Sequence, residues 1–94
     1  MNPQTAFETA LPSLHHIRGT IVGSSRVGLR VMAILARFGF EPQEFSTWPS
    51  SDDACLRQMR LCVEGDATQL PRTLKQLARL VDVVEVGLEH VDGP

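Results

Sequence analysis

Two apolar stripes of helical period, each set between strand-like segments, leave this chain few folds to choose from. Val27, Val31, Ile34, Leu35 and Phe38 recur at spacings of three and four, as they must in a helix that buries one face. Arg26, Arg30 and Arg37 fall largely off that stripe. Leu70, Leu74, Leu77 and Val81 repeat the pattern, with Leu80 beside them. Ahead of the first stripe, residues 16–22 alternate, with Ile17 and Ile21 on one face, as a half-buried strand does. Residues 40–48 and 55–64 read as two strands joined by the polar turn Pro49-Ser50-Ser51-Asp52-Asp53. In the latter strand Met59, Leu61 and Val63 share the core face, opposite Arg60 and Glu64. Residues 81–88 are the last strand, with Val84, Val86 and Leu88 expected inward. The order strand, helix, strand, strand, helix, strand predicts an α+β sandwich of βαββαβ layout. Its antiparallel sheet takes the order 4-1-3-2, with both helices on one face. Residues 1–13 are expected to form a leader, 14–90 the domain and 91–94 a tail.

The punctuation agrees with this layout. Gly39 stands where a helix stops in a left-handed residue, and Ser24 or Ser25 is placed to cap the first helix. The second helix start has two candidate caps. Asp66 with Gln69 resembles a capping box, but Thr68 is preferred, because it puts Pro71 within the first turn, where a missing amide costs nothing.

Composition excludes several functions. A chain of 94 residues buries only roughly two-thirds of its unfolded surface, which leaves little core for a deep cofactor cavity. Its formal net charge of -2 gives no electrostatic reason to expect nucleic acid. No apolar run approaches the roughly 18 residues of a membrane span, and the first residues lack the basic start of a secretory signal. A cytoplasmic location is expected. Cys55 and Cys62, with the adjacent His15 and His16 and with His90, match no zinc spacing, so no metal is expected. The third strand carries no aromatic residue for stacking RNA bases. The loop at Gly23-Ser24-Ser25-Arg26 offers no cysteine pair for a soft metal.

Two family resemblances remain. Arg26-Val27-Gly28-Leu29-Arg30 resembles the phosphate-cradling run of acylphosphatases. That family also places its attacking water with an asparagine, and the only asparagine here is Asn2. The broader resemblance is to ACT domains, which share the ferredoxin-like layout. Gln76-Leu77-Ala78-Arg79-Leu80-Val81-Asp82-Val83 is similar to the Gln-Leu-x-Lys-Leu-Val-Asp-Val run of acetolactate (acetohydroxyacid) synthase small subunits. Arg30-Val31 and Phe38-Gly39-Phe40 resemble the first helix of that family and the turn that closes it.

The resemblance covers about residues 16–89 and implies a regulatory subunit of the short, single-domain type. It implies no catalytic residue and no cofactor in this chain. Thiamine diphosphate, magnesium and FAD would sit on the large catalytic subunit, the expected partner. The family's effector-site positions fall here on Gly23, Arg26 and Glu41, within a candidate loop that includes Ser24, Ser25 and, with a two-residue shift, Gly28. None of the three carries the family's residue, and Glu41 opposes a carboxylate, so valine insensitivity is expected. Arg26 and Arg30, four apart on one helix face, could meet an anion or an acidic partner. Phe45 and Trp48, on an edge strand guarded only by Pro42 and Pro49, are interface candidates with Arg30, and a homodimer is expected. The alternatives are a free-standing ACT domain with another small ligand and an acylphosphatase-like hydrolase.

Overall fold

The computed structural model describes residues 13–23 and 26–89. The tail, His90, Ser24, Ser25 and all but the last residue of the expected leader lie outside that range. The elements are β1 (Ser13–Val22), α1 (Arg26–Arg37), β2 (Glu41–Pro49), β3 (Leu56–Gly65), a 3-10 turn (Ala67–Gln69), α2 (Leu70–Ala78) and β4 (Val83–Leu88). They build one antiparallel sheet in the order β2-β3-β1-β4, the expected arrangement. Ile17 and Ile21 of β1 meet Met59, Leu61 and Val63 of β3 under Val27, Val31 and Leu35 of α1 and Leu70 and Leu77 of α2. Among the described residues, the other face of the sheet carries no helix.

α1 ends as its sequence requires. Gly39 is left-handed (φ +83°). Its amide donates to the Ala36 carbonyl (3.1 Å), and the Phe40 amide reaches back to Leu35 (2.8 Å). This paired closure satisfies orphan carbonyls and brings Phe40 over Leu35. Phe40 is then buried, and its ring meets His15 edge-on at 6.0 Å.

Three expectations need correction. Neither candidate caps the second helix itself: Asp66 caps the segment ahead of it, its carboxylate accepting from the Thr68 amide at 2.9 Å, and the helix cap position is Gln69, with no side-chain cap bond. A 3-10 turn is inserted there, so Pro71 becomes the second residue of α2 and its missing amide is still harmless. Val81 is not on the buried helix stripe. α2 stops at Ala78, and Leu80 and Val83 close a turn that leaves Val81 90% exposed. Val84 is not inward either. Thr20 faces Glu85 but Ile21 faces Val83, so Val84 is an extra residue in a β-bulge. The bulge shifts the alternation, sends Val83 into the core and leaves Val84 exposed. Val86 packs against the core, whereas Leu88, opposite Ile17, lies half-exposed at the sheet margin.

Candidate functional site

The candidate residues gather mainly at the end of the sheet where β1 finishes. Here the chain leaves β1 through Gly23 and enters α1 at Arg26. The hairpin tip between β2 and β3 and the turn between α2 and β4 lie beside it. Backbone bonds tie these segments together. The Gly23 amide donates to the Cys55 carbonyl (2.9 Å) and the Val22 amide to the Asp82 carbonyl (2.8 Å). A side chain at Gly23 would put its Cβ 3.2 Å from that Cys55 oxygen, so the glycine permits a close approach. Asp82 thus anchors the end of β1 with its backbone and faces Arg30 with its carboxylate, at 3.9 Å. Both side chains reach solvent, so this contact is a weak one.

Gly28 lies inside α1, one turn from the loop, and packs under the Phe45 ring. A Cβ there would sit 3.4 Å from the ring. The acylphosphatase-like run from Arg26 to Arg30 is therefore helical from its first residue, and Val27 in its middle is core. Glu41 is at the far end of the sheet, opposite Glu64. It is separated from Gly23 by the length of β2, roughly 26 Å at about 3.3 Å per residue. Within one chain it cannot share a site with Gly23 and Arg26.

Phe45 and Trp48 lie on the exposed edge strand but on opposite faces. Phe45 opposes Leu61 on the helix side, and Trp48 opposes Gln58 on the helix-free side. Their odd spacing carried that signal, and it argues against a single patch. They are 37% and 38% exposed.

Sequence reasoning missed the helix-free face. Thr20, Gln58 and Glu85 align there across three strands, and the buried Thr20 hydroxyl faces Glu85 at 3.2 Å and Gln58 at 3.4 Å. Gln58 and Glu85, with Arg18 and Gly87, line a shallow groove of about 320 Å³ beside it. The Arg60–Glu89 ion pair (2.9 Å) crosses the same face. The signal was available in the polar residues that alternate with Ile17, Ile21, Met59 and Leu61. Both cysteines are free thiols, and no metal-binding cluster occurs among the described residues. Among the described residues, no helix is long and apolar enough to cross a membrane.

The architecture is that of an ACT domain. No family model matches the chain, and no curated protein matches it either; the likeness lies in solved structures. The ACT domain of the GTP pyrophosphokinase of Chlorobium tepidum is similar with a TM-score of 0.66 at 11% identity, over 83% of this chain and 99% of that one. A homoserine dehydrogenase from Thiobacillus denitrificans is similar at 0.68 and 12% identity, over 84% of this chain and 17% of that one. The acetolactate synthase small subunit from Thermotoga maritima is similar at 0.69 and 25% identity. That match covers 81% of this chain, which spans 47% of the Thermotoga one.

Proposed function

We propose that this ACT domain is a non-catalytic regulatory subunit that binds the catalytic subunit of an acetolactate synthase and raises its activity. The observation that carries this reading is the 25% identity to the Thermotoga small subunit over four-fifths of the chain. The Leu80-Val81-Asp82-Val83 run supports it. Val81 in it is 90% exposed and does not pack in the core, and Asp82 sits where the turn meets Arg30. The regulatory step would be a shift of the catalytic subunit toward its competent state, through tighter binding of that state. Thiamine diphosphate, magnesium and FAD would be held by that partner.

A homodimer through β2 fits the same reading. Two β2 strands paired antiparallel about a two-fold axis would carry Glu41 of one copy to the end of the sheet where Gly23 and Arg26 lie on the other. A negative charge would then enter the candidate effector site, so valine would bind weakly or not at all. Mixing the purified chain with the catalytic subunit tests the proposal: the turnover of that subunit is expected to rise. No change in its rate or its stability would sink the reading, and micromolar valine binding by calorimetry would overturn the insensitivity.

The groove beside Thr20 favours a second reading, a free-standing ACT domain for another small polar ligand. Protection of Arg18 and Glu85 by a bound metabolite, with no effect on the catalytic subunit, would select it.

A further inference from the structure

The net charge of -2 conceals a separation of charge between the two layers. α1, α2 and the residue that caps α2 carry Arg26, Arg30, Arg37, Arg72, Lys75 and Arg79, six of the nine cationic residues in the chain. They contain no acidic residue. All six are exposed. The acidic residues among the described positions lie in strands and turns, and Asp82 faces Arg30 across 3.9 Å. Because α1 and α2 run antiparallel, the cations spread over the whole outer surface. Arg26, Arg30 and Arg79 lie at one end, Arg37 and Arg72 at the other, and Lys75 between.

Two of these positions oppose helix stability. Arg26 is the first residue of α1 and Arg72 the third of α2, with no acidic residue in either first turn. A cation there faces the positive end of the helix dipole. Folding alone favours an acidic residue at both places. An anion approaching from outside favours the arginines, since it gains from the dipole as well as the guanidinium groups.

We infer that the outer helical surface docks a carboxylate-rich protein surface. Three features select a protein over other polyanions. Leu29 stands 74% exposed among the arginines, with the small residues Ala33 and Ala36 beside it. An apolar anchor ringed by arginine is a protein-interface composition. A nucleic acid would want stacking aromatics, and the exposed ones among the described residues, Phe45 and Trp48, are on β2. An anionic membrane would want a broad apolar helix face, and here the apolar faces of both helices are buried in the core.

The test uses labelled poly-L-glutamate as the probe, read by fluorescence anisotropy at low and at moderate salt. Wild type is expected to bind it, more weakly as salt rises. Replacing Arg37, Arg72, Lys75 and Arg79 by Gln removes four exposed charges and no core contact. At about twofold per charge, binding should fall by more than about tenfold. Arg18→Gln, on the opposite face, should leave it unchanged, and an unchanged melting midpoint confirms that both variants are folded. No binding, equal losses in the two variants, or tighter capture of duplex RNA or phosphatidylserine vesicles than of poly-L-glutamate would each overturn the inference. The catalytic-subunit assay does not enter this test, so the two proposals stand or fall separately.

Discussion

Replacing Gly65 by Ala probes the close approach of the β3 backbone to Phe40. A Cβ built on Gly65 falls within the Phe40 ring, 2.7 Å from Cε1 and 3.0 Å from Cγ. The ring cannot slide away with its backbone, because the Phe40 amide is bonded to Leu35 at 2.8 Å and the preceding residue is the left-handed Gly39. It must therefore rotate out of its place against His15. Overpacking of this kind costs about 1–3 kcal/mol. The lower chain entropy of Ala in the unfolded state offsets about 0.4–1 kcal/mol of that. A net loss of about 1–2 kcal/mol remains, which lowers the melting midpoint by about 4–8 °C for each kcal/mol in a domain of this size. Thermal and urea denaturation followed by circular dichroism measure it. The decisive comparison is a double-mutant cycle. Phe40→Ala alone should cost about 3–5 kcal/mol. In that background Gly65→Ala meets no ring and should become neutral or slightly stabilising. If the two losses simply add, the clash with Phe40 is not their cause and the reasoning fails.

Three further outcomes are expected. Gly39→Ala should lose about 1–2 kcal/mol in urea denaturation, because a Cβ is disfavoured at φ +83° although nothing lies within 4 Å of it. Arg30→Gln should change stability by less than about 0.5 kcal/mol, since its partner Asp82 is 3.9 Å away and both reach solvent; a larger loss in the same assay would contradict this. The amide of Thr68 holds the Asp66 carboxyl below its ordinary value of 3.8. Its charge therefore stabilises the fold above that value, and the benefit is lost as pH falls through the lowered one. The melting midpoint of Asp66→Asn should trail wild type at pH 7 and meet it at strongly acid pH. A gap that stays constant across that range would exclude the linkage.

Elements whose pattern is local could be read directly. The α1 stripe, the Gly39 stop and the core face of β3 depend on spacings within one segment, and the structure follows them. The last strand misled because Val83 and Val84 are equally apolar and β-branched. Only the pairing with Thr20 and Ile21, more than sixty residues earlier, decides which is the bulge residue. The second helix cap turned on an inserted 3-10 turn that Asp66 and Thr68 support equally well in sequence. At the candidate site, Gly23 follows the end of β1 and Arg26 opens α1, a boundary that the local pattern marks. Asp82 as the neighbour of Arg30 was invisible, because 52 residues separate them. The separation of cations from acids was hidden by a near-zero sum, although listing charges segment by segment would have revealed it.

The two prolines and the bulge of β2 limit how sheets of this protein can grow. Pro42 and Pro49 have no amide to offer, and Gln43 is the extra residue where the register slips against β3. Glu44–Trp48 is left as the stretch that a new strand could follow along this edge. Its midpoint is Ser46, so a two-fold partner has one natural alignment, Ser46 against Ser46. On the opposite edge, the bulge at Val84 interrupts a strand that is already short. With one edge admitting a single register and the other broken, strand addition along the described edges would stop at a closed pair. The molecule is thereby protected from extending into an open-ended ribbon, the hazard that a sheet with two straight edges carries.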